Sequence, residues 1–384
     1  MVLVVADGLG GLPHPKTGKT ELETARTPNL DLLAADSLTG LSVPVGPGIT
    51  PGSGPGHLAL FGYDPISSNI GRGALSALGI GLPLSAQDVA IRLNFCTLDA
   101  GGNVADRRAG RIETELNRKL VAELSDIRLD GAEVEMATES QHRAVLVLRG
   151  EGLSPLVQET DPQKTGVPPL PPDPLAPEAE RTSALLGGVL EQVRARIGAK
   201  SPANFVLMRG YAGLPRLDPM SRLFGVRPAC VASYPMYKGL ATVAGMTVLE
   251  TGNTLRGQID ALRKAWGDFD YFFFHYKYTD SFGEDGNFDG KVAAIEELDA
   301  AMPSIVDLDP EVIVVTADHS TPAVLKQHSW HPVPFLLKAK AMLPDAVTEF
   351  SERACMRGGL GTFPAQNTMS LMLGYAGRLA KFGA

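Results

Sequence analysis

Glu311-Val-Ile-Val-Val-Thr-Ala317, followed at once by Asp318-His319-Ser320-Thr321-Pro322, decides how this chain is read. An unbroken apolar, β-branched run predicts a strand buried on both faces, the kind found at the centre of a parallel sheet. The strand ends in an acid and an imidazole, and ligands of open α/β sheets bind beyond the carboxyl ends of the strands. Two other segments have the same form. Val2 to Ala6 is a short apolar run that ends at Asp7, and Asp270 to Tyr276 is an aromatic-rich run with Asp280 close behind it. Three predicted strands therefore deliver carboxylates and an imidazole to one sheet edge. His328 comes next in the loop after Asp318, and Glu284 lies one helical turn beyond Asp280. Such a mixture suits Mn²⁺, Zn²⁺ or Mg²⁺. Any one of these residues alone would read as a helix cap or a solvated loop residue; three strand ends together point to metal.

Around these strands the pattern alternates. Thr27-Pro28 reads as an N-cap followed by Pro at the first helical position, with leucines at helical spacing after it. Val292, Ile295, Leu298 and Met302 form one face of a helix, Pro332 to Leu337 reads as a strand, and Gln366 to Leu379 as a closing helix. Strands alternating with helices predict an α/β fold: a mostly parallel sheet with helices on both faces. The middle of the chain differs. Val89, Ile91, Leu93 and Phe95 alternate with Ala90, Arg92, Asn94 and Cys96, the period of a half-buried antiparallel strand. Arg143 to Arg149 and Asn204 to Met208 read as strands, Thr114 to Leu124 and Glu178 to Ile197 as helices, and Pro155 to Pro177 as a long loop. Residues 83–224 are expected to form a smaller α+β domain inserted into a core of residues 1–82 and 225–384.

A net charge of −8 argues against general affinity for nucleic acid. No stretch is apolar for long enough to span a membrane, and the run before Asp7 is too short and lacks the basic residues of a signal peptide. Cys96, Cys230 and Cys355 are odd in number and far apart, so neither a disulfide framework nor a CxxC zinc site is readable. A cytoplasmic setting is expected, with a small-molecule substrate and no obligate protein partner.

Ser53 is the candidate nucleophile. It lies in the Gly/Pro-dense loop Val45 to Gly56, before a helix expected to start at His57. Backbone N–H groups at such a junction can face a phosphate, and a bound metal can activate the weakly nucleophilic hydroxyl. The loop is not a P-loop, because no Gly-Lys-Ser/Thr follows its glycines. Basic residues concentrate in the insert: Arg107, Arg108 and Arg111 within one short segment, Arg143 opening a strand, Arg209 closing one, and Lys164 in the long loop. Lys238 lies just after it. Arginines are mostly solvated or paired with acids, but in an acidic chain those at strand ends are candidate anion receptors.

Several strings occur in order along nearly the whole chain: Asp7-Gly-Leu-Gly-Gly, Lys19 to Asp31, Pro51-Gly-Ser53 with His57 to Pro65, Gly71-Arg-Gly73, Asp106-Arg-Arg-Ala-Gly-Arg111, His142 to Gly150, Thr160 to Gly166, Tyr237-Lys-Gly239 and Asp318-His-Ser-Thr-Pro322. Together they resemble the archaeal-type cofactor-independent phosphoglycerate mutases of the alkaline-phosphatase superfamily. The resemblance implies an alkaline-phosphatase-like core that interconverts 3-phosphoglycerate and 2-phosphoglycerate in glycolysis and gluconeogenesis. The route would be a phosphoserine at a two-metal site, without bisphosphoglycerate. Manganese is the foremost metal, with magnesium, cobalt or zinc as alternatives. By the same resemblance Asp7, Ser53, Asp318 and His319 would hold one metal, and Asp280, residue 284 and His328 the other. His57, Arg107, Arg108, Arg111, Arg143, Arg209 and Lys238 would contact phosphoglycerate.

The chain departs from the pattern at Glu284, where the family commonly has His, and at Gly54, where many relatives carry an acid. Glu adds charge and a hard oxygen donor, which predicts that Mn²⁺ or Mg²⁺ outperforms Zn²⁺. His275 and His331 are spare imidazoles that could stand in. Two other functions share the motifs: a metal-dependent phosphatase or another phosphomutase, and a non-catalytic metabolite-binding relative.

Overall fold

The computed structural model describes residues 1–68 and 70–383. The chain divides into two compact units, one made of Met1–Asn69, Leu217–Tyr237 and Ala244–Ala384, the other of Ile70–Arg216 and Lys238–Val243. The strands begin with β1 (Val2–Ala6) and β2 (Leu38–Val43) in the larger unit. The smaller unit contributes β3 (Val89–Leu98), β4 (Val104–Asp106), β5 (Glu133–Ser140), β6 (Arg143–Arg149) and β7 (Phe205–Ala212). The chain then returns to the larger unit with β8 (Pro228–Val231), β9 (Thr247–Val248), β10 (Tyr271–Tyr276), β11 (Val312–Thr316), β12 (Val333–Ala339) and β13 (Gly361–Pro364).

The larger unit is built on one sheet in the order β13-β2-β12-β11-β1-β10-β8-β9. It is mostly parallel; β12 runs antiparallel to both β11 and β2. The centre is β10-β1-β11, and every residue of these three strands is buried. Val2, Val4 and Ala6 face one apolar layer with Phe272, Phe274, Ile313 and Val315, and helical leucines and isoleucines such as Leu30, Ile259, Ile295 and Leu298 close over it. Phe273 points the other way and meets Phe61 edge-on at 4.8 Å. Burial on both faces is why these strands lack polar alternation. Truncating one of the central phenylalanines to Ala would cost about 3–5 kcal/mol. No helix among the described residues is long and apolar enough to cross a membrane.

The smaller unit is an antiparallel sheet in the order β4-β3-β6-β5, with β7 also paired to β3. Its core gathers Ile91, Leu93 and Phe95 with residues from the helices Thr114–Leu124 and Glu180–Ile197.

Three expectations shift. The junctions lie near 70 and 216 rather than 83 and 225. The helix Arg72–Gly79 packs on β3, β6 and β7, which draws residues 70–82 into the smaller unit. At the other junction the Met220 N–H donates to the Ala244 carbonyl at 2.9 Å, which ties the helix Met220–Phe224 to the larger one. The helix expected at His57 starts at Ser53, after an N-cap at Gly52. Pro55 does not prevent this, because it falls in the first turn, where its missing N–H would have no helical partner. The closing helix is shorter than expected, Thr368–Tyr375.

Candidate functional site

The sheet register assembles the site. Ala6 of β1 pairs with Tyr276 of β10, and Val5 pairs with Thr316 of β11, so three strands end at one level. Just past that level lie Asp7 after β1, Lys277 and Asp280 after β10, and Asp318 and His319 after β11. Asp7, Asp280, Asp318 and His319 are all buried.

His319 is the hub. Its Nε2 lies 3.2 Å from Ser53 Oγ, 3.3 Å from Asp7 Oδ1 and 3.1 Å from Asp318 Oδ2. Asp7 Oδ1 and Asp318 Oδ2 are buried and make no hydrogen bond among the described residues. Two unused carboxylate oxygens, a serine hydroxyl and an imidazole nitrogen converging in this way fit a divalent cation, because buried charge of this density needs a counter-charge. Asp7, Asp318 and His319 form one group able to hold a metal; Asp280, His319 and His328 form a second. His328 Nδ1–H donates to the Pro51 carbonyl at 2.8 Å, which leaves Nε2 toward Asp280 Oδ1 at 3.6 Å. Its ring stacks on His319 at 3.7 Å. Glu284 is in neither group. It lies near the end of the helix Tyr278–Asp285 with its side chain 58% exposed and Oε1 3.8 Å from His328 Nε2. The spare imidazoles are engaged elsewhere: His275 bonds Asp7 Oδ2 at 3.1 Å, and His331 meets the Ser329 hydroxyl at 3.0 Å.

Ser53 is the first residue of the helix Ser53–Leu60. One turn on, a Cβ at Gly56 would stand 2.2 Å from the Asp318 carbonyl oxygen, so the helix lies directly on the ligand-bearing loop. His57 is fully buried; its Nδ1 is 2.8 Å from the Ser53 carbonyl and 3.1 Å from Asp318 Oδ2.

The electrostatics favour charged acids, with His57 pushed up, against its burial, by Asp318, and His319 and His275 pushed down. Burial alone would raise Asp7, but the Lys277 ammonium at 3.0 Å and then His275 hold its carboxyl well below the usual range. Burial and the neighbouring Asp7 push Asp318 up, and His319 and His57 outweigh them. Burial lowers both His319 and His275, which favours neutral imidazoles, the form that binds metal. Burial opposes the charge on Lys277, yet Asp7, Tyr237 and Asp280 around it raise it well above the lysine range. Tyr237 adds its hydroxyl to Asp7 Oδ2 and stacks on His275 at 3.7 Å.

The basic candidates of the smaller unit are arranged differently. Arg107 grips Asp161 with two bonds of 2.8 and 2.7 Å, and Arg209 reaches the same carboxylate at 3.3 Å. Arg108 and Arg111 project from a tight turn, exposed, with Asp106 accepting the N–H groups of Arg108 and Gly110. Arg143 meets the Ser140 hydroxyl at 3.1 Å. Lys164 is exposed and Lys238 partly buried. Burial, then Arg143, Arg92, Arg108 and Arg111, lower His142 to about 3, so these guanidiniums create one positive region.

Lys277, Tyr237 and Thr321 join the buried carboxylate site, and Arg92 joins the smaller unit's positive region, though none of them was a candidate in the sequence. Lys277 has a local signal: it ends an apolar strand and stands one helical turn before Asp280. Arg92 pairs in register with Arg209, which only the strand pairing reveals.

Comparison with known proteins identifies the family. Residues 34–204 match the family described as 2,3-bisphosphoglycerate-independent phosphoglycerate mutase. A probable 2,3-bisphosphoglycerate-independent phosphoglycerate mutase of Thermus thermophilus is 51% identical, over 100% of this chain and 96% of the relative. A probable mutase of the same description from Aquifex aeolicus is 48% identical, over 100% and 97%. Among solved structures, a Pyrococcus horikoshii protein superposes with a TM-score of 0.86 at 29% identity, covering 100% of this chain and 98% of its own. The cofactor-independent phosphoglycerate mutase of Thermoplasma acidophilum gives 0.71 at 29% identity, covering 98% and 99%. Full-length identity at this level places the chain in one family of isomerases: it belongs to the 2,3-bisphosphoglycerate-independent phosphoglycerate mutases.

Proposed function

We propose that this chain interconverts 3-phosphoglycerate and 2-phosphoglycerate by passing the phosphoryl group through Ser53, at a site for two divalent cations, manganese foremost. The observation that carries this reading is Ser53 Oγ, 3.2 Å from His319 Nε2 at the head of a helix, beside two buried carboxylates with unused oxygens. Asp7, Ser53, Asp318 and His319 would hold one cation; Asp280 and His328 would hold the other, with Glu284 turning inward from its exposed position. When bound, the cations supply Lewis-acid charge that eases deprotonation of a hydroxyl and offsets negative charge on the phosphoryl oxygens.

The chain's own residues do the rest. Ser53 Oγ attacks phosphorus, the bond from phosphorus to the 3-oxygen breaks, and that oxygen takes a proton. The 2-hydroxyl of glycerate then gives up its proton and attacks the phosphoserine, the bond from phosphorus to Oγ breaks, and Oγ takes a proton. Lys277, between Asp7 and Asp280, supplies a counter-charge to both carboxylates. His57 braces the nucleophile's helix through the Ser53 carbonyl. Arg107, Arg108, Arg111, Arg143, Arg209 and Lys238 are assigned to the substrate's anionic groups, which guanidinium forks bind bidentately; His57, also expected among these contacts, is fully buried and is assigned to the helix instead. The buried thiols Cys96, Cys230 and Cys355 suit a reducing, cytoplasmic setting.

The test is ³¹P NMR of the full-length protein with 3-phosphoglycerate, with and without Mn²⁺ and without bisphosphoglycerate. The expected result is a 2-phosphoglycerate signal that requires Mn²⁺ and falls by roughly 10³-fold or more in Ser53→Ala. Release of inorganic phosphate alone would make the protein a phosphatase. Sustained mutase activity in the variant would remove the phosphoserine.

A further inference from the structure

Thr321 makes two hydrogen bonds through one hydroxyl: Oγ1 is 2.7 Å from Asp280 Oδ1 and 2.9 Å from His319 Nδ1. The hydroxyl has a single hydrogen. An ionised carboxylate can only accept, so that hydrogen lies toward Asp280. Thr321 then offers His319 only lone pairs, and Nδ1 must carry the hydrogen of that contact. Nε2 is the nitrogen left with a lone pair, and it faces Ser53, Asp7 and Asp318.

We propose that Thr321 is a positioning residue that fixes the Nδ1–H tautomer of His319 and thereby commits this ring to the Asp7–Asp318 group. The inference rests on the metal-dependent reading of the Ser53 site. It settles a conflict in the geometry, because His319 has a place in both candidate metal groups and cannot serve both through one nitrogen. With Nδ1 taken by Thr321, Asp280 and His328 are left to build the second group without it. The Ser53 hydroxyl can donate to Nε2, so three hydrogen bonds run in one direction, from Ser53 through His319 and Thr321 to Asp280.

The surroundings hold Thr321 at every polar atom. Its N–H reaches the carbonyls of Gly8 and Gly10, at 3.2 and 3.0 Å. Its carbonyl accepts from Lys291 Nζ at 2.8 Å, and the same buried ammonium bonds the Gly8 and Gly10 carbonyls at 2.9 and 3.0 Å. Gly8 has φ +63°, and a Cβ there would come within 2.5 Å of Thr321 Oγ1 and 2.8 Å of Asp280 Oδ1. The backbone at Gly8 therefore lies directly against this hydroxyl. Hydrogen bonds behind a metal-binding imidazole set its tautomer and its affinity, by 10- to 100-fold in order of magnitude.

The test uses the full-length chain with ¹⁵N-labelled histidine, freed of metal by chelation, with long-range ¹H–¹⁵N spectra assigned through His319→Asn. The expected pattern for His319 is a protonated Nδ1 and an unprotonated Nε2. Thr321→Ser should keep that pattern. Thr321→Val should lose it, and its Mn²⁺ affinity, read as free Mn²⁺ by electron paramagnetic resonance, should fall about 10-fold. A wild-type ring protonated on Nε2 overturns the proposal, as does Thr321→Val with both the pattern and the affinity unchanged. The spectra need neither metal nor substrate. An Nδ1–H ring in a protein that fails to make 2-phosphoglycerate would support this inference while sinking the proposed function.

Discussion

The two charged regions of this molecule are built on opposite plans. At the carboxyl ends of β1, β10 and β11, acids are buried and stand in excess, and the backbone register sets their spacing. In the smaller unit bases stand in excess, and a loop carboxylate, Asp161, arranges Arg107 and Arg209. The first region has two carboxylate oxygens without hydrogen bonds, which suits a cation; the second is a positive region suited to anions. The difference shows how one acidic chain can provide for ligands of both signs: it segregates its counter-charges.

The sharpest way to break that contrast is Lys277→Met. Without the ammonium, Asp7 and Asp280 lose their balancing charge, and the metal-free larger unit should lose about 3–5 kcal/mol. Urea unfolding with chelator measures this, and adding Mn²⁺ should restore part of the loss. Equal stability of variant and wild type would mean that the acids do not depend on Lys277. The counterpart in the smaller unit is Asp161→Asn, which weakens the grip on Arg107 and Arg209. Its expected cost is about 2 kcal/mol, insensitive to Mn²⁺.

A gentler comparison uses pH. Burial raises Glu352, in the larger unit, to about 7. Between the ordinary 4.5 and 7 the folded protein keeps a proton that the unfolded chain has lost, so stability falls as pH rises through this window. His142, in the smaller unit, behaves in reverse. Between 6.5 and about 3 the unfolded chain takes a proton that the buried ring refuses, so stability falls as pH falls. Urea midpoints from pH 4 to pH 8 should show the first slope removed by Glu352→Gln and the second by His142→Gln. Unchanged slopes in both variants would dissolve the comparison.

The same contrast explains what is legible in the sequence. β1, β10 and β11 announce themselves because double burial makes them almost wholly apolar, and the acids behind them are conspicuous for that reason. β2 is hidden: Thr39, Gly40 and Ser42 break its apolar run, yet a Cβ at Gly40 would meet the Gly361 carbonyl at 2.5 Å, so the glycine serves close strand pairing. β5 is hidden because Glu133 and Glu135 break its apolar pattern. Thr321 lies inside the Asp318-to-Pro322 string, but its work depends on Asp280 arriving from another strand. Arg107 and Arg209 are visible as bases; Asp161 lies in the Thr160-to-Gly166 string, but nothing local marks it as the acid they share. Register-built features surface in local sequence, whereas pairings made across the fold do not.

Gly56 sets the nucleophile's helix against the Asp318 loop with no side chain between them. Where side chains pack on side chains, lineages can drift by compensating exchanges of volume. At residue 56 there is no volume to exchange. Replacing an interior helical glycine by alanine ordinarily stabilises a helix by roughly 0.5–1 kcal/mol, but here it would push Ser53 away from the acids. The position leaves no room for a side chain, so any residue but glycine there requires the helix itself to shift.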